Sequence, residues 1–214
     1  MNNDTDEPRV SLFPSFFSSK ANRKLPGIVN KGSLTITELI EGIKSGRWEN
    51  GVNLVRTAMV QFGRNSKEHI EAKLDIPAIT LSVECRNRIQ SEPDCDKLID
   101  YNFILQIDSD FHCGIDELTQ WKDRLSQDPY ILFVALSPSG DGLKAALFYS
   151  IPADIELNYE NLRTVHESVF QAVDEYLYKT YKIRNDKAVK DPYRLCFLTY
   201  DPDIRVNEEV QALK

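Results

Sequence analysis

The sequence predicts an α+β domain whose N-terminal portion is helical. Three observations lead to this prediction. The first third of the chain carries apolar residues at helical spacing, later parts carry short apolar runs typical of strands, and amphipathic helical segments separate those runs. A chain that passes from helices to strands with interspersed helices is typical of helices packed on a mostly antiparallel sheet.

The helical portion follows a polar segment. Residues 1–32 are interrupted by prolines, so we expect them to be extended or mobile, with Val10–Phe17 able to add an edge strand. Thr35-Ile-Thr-Glu38 is a capping box that begins the first helix, and Gly46 is a natural end for it. We expect residues 33–214 to form a single domain. The predicted helices of its first part cover residues 35–46, 51–62 and 66–74.

Strand character begins at Ile76–Val83. Further along, residues 97–107 end in an apolar run without alternation, which predicts a central strand buried on both faces. That strand leads directly into Asp108-Ser-Asp110. The segment Ser137–Gly142 is predicted to be a hairpin turn by its length and its Ser, Pro, Gly and Asp residues. The remaining predicted elements are helices at 115–126 and 159–181 and strands at 130–136, 143–151 and 194–200.

The charge of the chain limits its partners. Its 214 residues include 26 Lys and Arg against 33 Asp and Glu, which gives a formal charge of −7. A net-acidic surface repels polyanions, so any nucleic-acid contact must be local. No window reaches the roughly 18 apolar residues of a membrane span, and the N-terminus is acidic where a secretory signal is basic. We therefore expect a cytoplasmic protein with no membrane partner.

The cysteines and histidines match no standard site. The four cysteines lack a Cys-x-x-Cys pairing, and we expect them to be reduced and mostly buried. A zinc site from Cys85, Cys95, His112 and Cys113 is conceivable, but these spacings match no standard ligand pattern. The three histidines fit no catalytic triad, and a structural role is favoured for each. The sequence has neither a Walker A motif nor a dinucleotide-binding glycine motif.

The most informative motif is Asp108-Ser-Asp110. Residues two apart on a strand share a face, so both carboxylates can project together from the end of the buried strand. Two neighbouring acids repel each other, and a divalent cation relieves that repulsion. Oxygen ligands favour Mg²⁺ or Mn²⁺, and two such ions about 4 Å apart clamp the attacking and leaving oxygens in phosphoryl transfer. The structural alternative is that the two aspartates cap the following turn or helix.

Two further segments are candidates for binding anions. In Ser137-Pro-Ser-Gly-Asp-Gly-Leu-Lys144, backbone N–H groups can converge on an anion, Ser139 can donate a hydrogen bond, and Lys144 adds a positive charge where a triphosphate could lie. The alternative is an ordinary hairpin connection. Lys179–Arg194 gathers six basic residues and two acids and is the best candidate for a strip that faces a polyanion. The alternative is a solvated helix end followed by a loop.

The order of these motifs resembles that of the archaeo-eukaryotic primase superfamily. It is most similar to the VirE N-terminal-type primase-like domains of bacterial mobile elements and prophages. The matching segments are Ile107-Asp-Ser-Asp110, Leu136–Lys144 and Asp186–Asp203, and the run Arg194–Asp203 is the most family-specific part. Weaker similarity near Val10 and Leu74 extends the resemblance over most of the chain.

The resemblance implies an RRM-like primase-polymerase catalytic core that uses Mg²⁺ or Mn²⁺, nucleoside triphosphates and a single-stranded DNA template. It assigns Asp108, Asp110 and Asp186 as metal-binding catalytic carboxylates, with Asp191 as the fallback for the third. The implied nucleotide-binding residues are Ser137, Ser139, Gly140, Gly142, Lys144 and Arg194. Many relatives have His at the position of Lys144. The lysine keeps a positive charge, but it cannot act as a neutral imidazole donor. Because relatives often continue into a helicase or ATPase, we expect a separate helicase or ATPase partner or a longer parent protein.

Three functions stay open on the sequence. The leading one is a primase-polymerase-like nucleotidyltransferase that serves replication of a mobile genetic element. The second is a catalytically inactive nucleic-acid or nucleotide-binding module of the same fold, which Lys144 and the acidic charge favour. The third is a glycosyltransferase of the Asp-x-Asp type; the chain is short for that class and shows no Rossmann-like first half.

Overall fold

The computed structural model describes residues 7–14, 30–110 and 114–214. The backbone of Asp110 belongs to these ranges, but its side chain does not. Within them the chain forms a mixed α+β fold, and the strand pairs with an assigned register are antiparallel. The predicted fold class is confirmed at that level.

Two four-stranded sheets make up most of the strand structure. The strands are β1 (Arg9–Phe13), β2 (Ser33–Thr35), β3 (Ala78–Thr80), β4 (Val83–Cys85), β5 (Leu98–Tyr101), β6 (Ile104–Asp110), β7 (Ile131–Leu136), β8 (Gly142–Phe148), β9 (Leu195–Phe197) and β10 (Arg205–Val206). The outer sheet has the order β2-β1-β3-β9, the central sheet has the order β10-β7-β8-β6, and β4 pairs with β5. The helices are α1 (Ile36–Ser45), α2 (Glu49–Phe62), α3 (Lys67–Asp75), α4 (Asp94–Lys97), α5 (Ile115–Ser126) and α6 (Leu162–Tyr181), and a 3₁₀ turn covers Lys187–Lys190.

Local signals form the first helices as predicted. The Thr35 hydroxyl accepts the N–H of Glu38, and the Glu38 carboxylate accepts the N–H of Thr35, which completes the capping box of α1. The helix ends at Gly46, whose φ of 85° lies in the left-handed region that favours glycine. Helix α3 begins after Ser66, whose hydroxyl accepts the N–H of His69 at 3.1 Å.

Strand β6 is buried on both faces, as predicted, but its predicted central position is wrong: it is the edge strand of its sheet and pairs only with β8 among the assigned strands. Leu105 and Ile107 belong to a core between the central sheet and helices α5 and α6. Ile104 points the opposite way, into a second core shared with α1 and the outer sheet. Because side chains alternate along a strand, Asp108 shares the face of Ile104 and lies at the cleft between the two sheets.

Helices α5 and α6 cover the other face of the central sheet. Leu118 and Leu125 of α5 and Val173 and Leu177 of α6 are buried in the core of that side. Their apolar residues recur at the helical spacing that the sequence shows. Among the described residues, no helix is both long enough and apolar enough to cross a bilayer.

The structure corrects the prediction for the N-terminal segment. Residues 9–13 of the segment predicted to be extended or mobile form β1, which lies inside the outer sheet between β2 and β3 instead of at its edge. Val10 and Phe13 are fully buried there. The strand is internal because its backbone pairs with β2 on one side and with β3 on the other. The rest of that prediction, over residues 1–6 and 15–29, lies outside the described residues.

Two predicted strands are each interrupted. The strand expected at Ile76–Val83 is divided between β3 and β4, and the one expected at 97–107 contains the end of α4 and strands β5 and β6. The second interruption lies at Asn102 and Phe103, where Phe103 has a φ of 53°. The Asn102 side-chain amide donates to the Leu81 carbonyl at 2.9 Å, and the Asn102 backbone N–H donates to the Ser82 carbonyl at 3.0 Å, so the interruption stays hydrogen-bonded.

The cysteines follow the expected pattern in part. Cys85 and Cys196 are buried free thiols, and Cys95 is an exposed one. The other two ligands of the conceivable zinc site, His112 and Cys113, lie outside the described residues.

Candidate active site

Asp108 and Lys144 lie opposite each other on neighbouring strands. The pairing of β6 with β8 places Asp108 in register with Lys144, and Asp110 in register with Gly142. Lys144 Nζ forms an ion pair with Asp108 Oδ2, and Gln106 Nε2 donates to the same oxygen at 3.3 Å. The Lys144 and Asp108 side chains are 9% and 19% exposed, so the pair lies where the cleft meets solvent. This register brings the acid motif and the end of the turn motif into one site.

The third acid, Asp186, is held beside Asp108 by backbone contacts. The Asp186 N–H donates to the Asp108 carbonyl at 3.2 Å. Asn185 Oδ1 accepts the Asp108 N–H at 2.8 Å, and Asn185 Nδ2 donates to the Gln106 carbonyl at 2.8 Å. Arg194 Nη2 lies 3.4 Å from Asp186 Oδ2. Residues 185–186 therefore continue the hydrogen bonding of β6, and Arg194 joins the same region.

Asp191, the fallback for the third carboxylate, has different neighbours. Its Oδ1 lies 3.4 Å from Arg163 Nη1. Asp191 also lines a cavity of about 830 Å³ together with Arg88, Lys97 and Tyr193. Asp186 is therefore the acid that the backbone connects to Asp108.

The turn between β7 and β8 contains buried polar atoms without partners. It is closed by two backbone bonds, from the Ser137 N–H to the Gly142 carbonyl at 2.8 Å and from the Gly140 N–H to the Ser137 carbonyl at 2.9 Å. Gly140 has a φ of 78°, which favours glycine. Within the described structure, Ser137 Oγ and Asp141 Oδ1 are buried and have no hydrogen-bond partner. Because buried polar atoms are normally paired, these two atoms favour a ligand-binding role for the turn.

Helices α2 and α3 and the connection between them bring further polar groups to this turn, which sequence reasoning missed. His69 Nε2 lies 3.0 Å from Ser139 Oγ, and Arg64 forms an ion pair with Asp141. Arg56 packs against Gly140. The ring of His69 therefore contacts a predicted nucleotide-binding residue, Ser139.

A buried thiol forms part of the floor of the site. Cys196 lies on β9 in the cleft that Lys144 also lines. Burial raises the pKa of Cys196 to about 11, and the charges that act on it include those of Lys144, Asp108 and Arg194. The thiol therefore stays protonated at neutral pH and is not a nucleophile. The charge of Lys73 acts on the thiol as well.

The basic strip predicted at Lys179–Arg194 is largely compensated by acids. Arg184 Nη1 lies 2.7 Å from Asp174 Oδ2, and Lys190 Nζ lies 3.3 Å from Glu167 Oε1. Both acids belong to α6. The strip therefore offers a polyanion much less positive charge than the sequence suggests.

The donor set suits a hard divalent cation in its chemistry. Asp108 and Asp186 carry carboxylate oxygens, the ligand type that Mg²⁺ and Mn²⁺ prefer. The two Asp186 oxygens already accept hydrogen bonds, from the Ala188 N–H at 2.9 Å and from Arg194 Nη2 at 3.4 Å. The backbone of Asp110 lies two residues further along β6, and its side chain lies outside the described part of the chain. Within that part, no cluster of three or more His, Cys, Asp and Glu side chains is arranged to hold a metal ion. A cation at Asp108 would require Lys144 to release the carboxylate.

Comparison with known proteins gives one match. A family model described as "BT4734-like, N-terminal domain" matches residues 70–205. No curated protein and no solved structure matches the chain. The matched segment covers more than half of the chain and contains all the predicted site residues, from Asp108 to Arg194. The chain therefore belongs to the BT4734-like, N-terminal domain family.

Proposed function

We propose that this chain is a primase-polymerase-like nucleotidyltransferase of the archaeo-eukaryotic primase type, with an RRM-like core, serving replication of a mobile element. The observation that carries the proposal is the convergence of three distant segments. Asp108 on β6 is paired with Lys144 on β8, and the backbone of Asp186 is bonded to the backbone of Asp108. Acids beside a cationic, glycine-containing turn suit the transfer of a nucleotide from a triphosphate.

Each residue then has a role in the reaction. The attacking 3′-hydroxyl oxygen forms a bond to the α-phosphorus and gives up its proton to solvent, and the bond from that phosphorus to the bridging oxygen of the departing pyrophosphate breaks. Asp108, Asp110 and Asp186 would hold Mg²⁺ or Mn²⁺, which neutralises the charge on the phosphate oxygens when bound. Ser137, Ser139, Gly140 and Gly142 form the turn that binds the triphosphate.

Lys144 is the residue whose contacts must change. Its ammonium group is paired with Asp108 in this structure. In the proposed reaction it leaves that carboxylate and binds a phosphate of the incoming nucleotide, which carries more negative charge. Arg194, now paired with Asp186, directly precedes β9 and would serve the same phosphates or the template.

The pairing of Lys144 with Asp108 also favours a second candidate function. An ammonium group that compensates Asp108 removes part of the need for a divalent cation. A catalytically inactive module of the same fold would use Lys144 and the turn to bind nucleotides or nucleic acid without turnover. This alternative predicts that nucleotide binding persists in a metal chelator.

Labelled-nucleotide incorporation on a single-stranded DNA template tests the proposal. With Mg²⁺ or Mn²⁺ we expect products from the wild type, and we expect Asp108→Asn to reduce their rate by about 100-fold or more, the scale seen when one preorganised catalytic group is removed. Asp154→Asn is the matched control, because it removes the same charge from an exposed turn. Omitting the primer shows whether synthesis starts de novo.

The outcomes separate the two candidates. Incorporation that survives in Asp108→Asn, with both variants folded by circular dichroism, contradicts the proposed roles. Binding of nucleoside triphosphate in EDTA, without products in any metal, favours the inactive module.

A further inference from the structure

The ring of His69 has a defined protonation pattern. Its Nδ1 lies 3.3 Å from the backbone N–H of Asn65, which can only donate. Nδ1 therefore accepts and carries no proton. In the neutral ring the proton is then on Nε2, which lies 3.0 Å from Ser139 Oγ. The imidazole donates to the Ser139 hydroxyl oxygen.

The charges around His69 favour the neutral ring. The side chain is buried, and burial is the main cause that lowers its pKa below the ordinary value. The positive charges of Lys73, on the same helix, and of Arg64 lower the pKa further, while Asp141 on the turn acts in the opposite direction. At neutral pH the ring is uncharged, as its contact with Asn65 requires.

The donation from His69 determines what the serine can do. A hydroxyl has one proton and two lone pairs. When Ser139 Oγ accepts the Nε2–H of His69, its own proton is left to donate to an acceptor on the other side. The neighbouring turn residues include Ser137, whose buried hydroxyl has no partner within the described structure. A phosphate oxygen is an acceptor only, so it fits a turn that presents serine donors beside a glycine.

We propose that His69 is a positioning residue for the nucleotide: it directs the Ser139 hydroxyl proton toward a phosphate of a bound nucleoside triphosphate. This inference rests on the proposed function, since it uses the same turn. It adds a residue from α3 that lies just outside the segment matched by the family model, residues 70–205. The substrate group it recognises is the phosphate chain and not the base.

Two near-isosteric variants separate this role from a structural one. In His69→Asn, the amide oxygen can take the place of Nδ1 and accept the Asn65 N–H, but no donor reaches Ser139. In His69→Gln, the amide nitrogen can take the place of Nε2 and donate to Ser139, but the contact with Asn65 is lost. A purely structural His69 predicts that both variants bind ligands equally, or that only the Gln variant is impaired.

The test is calorimetric titration with ATP and with dATP in Mg²⁺, with adenosine as the probe that lacks phosphates. We expect His69→Asn to weaken binding of the triphosphates about tenfold, the typical effect of one hydrogen bond to a charged group, and to leave adenosine binding unchanged. His69→Gln should bind the triphosphates nearly as well as the wild type. In a Ser139→Ala background, the difference between the Asn and Gln variants should disappear.

Different results contradict the proposed function and the role of His69. Wild-type protein that binds neither triphosphate contradicts the proposed function and the inference with it. Wild-type protein that binds triphosphate, with equal affinity in His69→Asn, overturns the role of His69 alone. A difference between Asn and Gln that persists without the Ser139 hydroxyl also overturns it. Thermal melting of each variant identifies any loss of folding. Ser139→Ala removes the partner of His69 in the same hydrogen bond.

Discussion

Replacing Asp201 with alanine is expected to lower the free energy of unfolding by about 3–5 kcal/mol, the usual effect of removing one partner of a buried ion pair. Asp201 and Lys122 have side chains only 2% and 3% exposed, and Lys122 Nζ lies 3.0 Å from Asp201 Oδ2. Asp201 also accepts the N–H groups of Leu136 at 2.8 Å and of Asp203 at 3.0 Å. Leu136 directly precedes the turn at 137–142, so we expect nucleotide binding to weaken as well.

A second aspartate two residues away is a matched control for this prediction. Asp203 Oδ2 lies 3.2 Å from the same Lys122 ammonium group, but its side chain is 59% exposed. Asp203→Ala should therefore cost less than about 1 kcal/mol, as surface ion pairs do. Urea unfolding of both variants and the wild type measures the difference. Equal losses in the two variants would contradict the importance that we assign to burial of Asp201.

His166→Phe is expected to cost about 3 kcal/mol at neutral pH, because it removes the donor to the buried Val189 carbonyl and the acceptor of the buried Tyr101 hydroxyl proton, at roughly 1–3 kcal/mol each. His166 is fully buried, and its Nε2 donates to the Val189 carbonyl at 3.0 Å. Its Nδ1 must then accept, and it does so from the Tyr101 hydroxyl at 2.7 Å. Tyr149 donates in turn to Tyr101. Val189 lies in the 3₁₀ turn that Asp186 caps, so this network supports the position of the third acid.

The same variant makes a prediction about pH. Burial lowers the pKa of His166 below its ordinary value of 6.5; Arg163 lowers it further, while the Val189 carbonyl and Asp191 oppose the change. The unfolded chain binds the proton more readily, so the stability from neutral His166 is complete above about pH 6.5 and decreases as the pH falls. His69, whose pKa is also lowered, contributes in the same direction.

The comparison between wild type and variant isolates His166, because His69 is present in both. The destabilisation caused by His166→Phe should be smaller at about pH 5.5 than at about pH 7.5. Urea unfolding at the two pH values measures it. A destabilisation that is equal at both pH values, or larger in acid, would show that His166 is not held neutral in the folded protein.

The local elements were predictable because their signals lie within a few residues. The capping box at Thr35 and Glu38 and the glycine at Gly46 specify helix α1 without reference to the rest of the chain. The apolar run Ile104–Ile107 indicates a strand buried on both faces. The place of β1 inside the outer sheet was not predictable in this way, since it depends on which strands pair with it.

The partners within the site were not predictable, because they depend on long-range pairing. Strand β6 pairs with β8, and α5 and β7 lie between them in the chain, so the meeting of Asp108 with Lys144 follows from a register that no local pattern shows. The contact of His69 with Ser139 spans 70 residues. The sequence near His69 gives one weak indication of this contact: His69 and Lys73 lie four residues apart and therefore share one face of the mostly polar helix α3.

We propose that the three segments with Asp108, Lys144 and Asp186 form one metal- and nucleotide-binding site. Cleavage of the backbone by Fe²⁺ in place of Mg²⁺, with ascorbate and peroxide, tests it most directly because radicals cut the chain close to the bound ion. We predict cuts near residues 108–110, 137–144 and 184–186 that Mg²⁺ suppresses and that Asp108→Asn abolishes. Cuts confined to other segments, such as the cavity lined by Arg88 and Asp191, or cuts unchanged by Mg²⁺, would contradict the account.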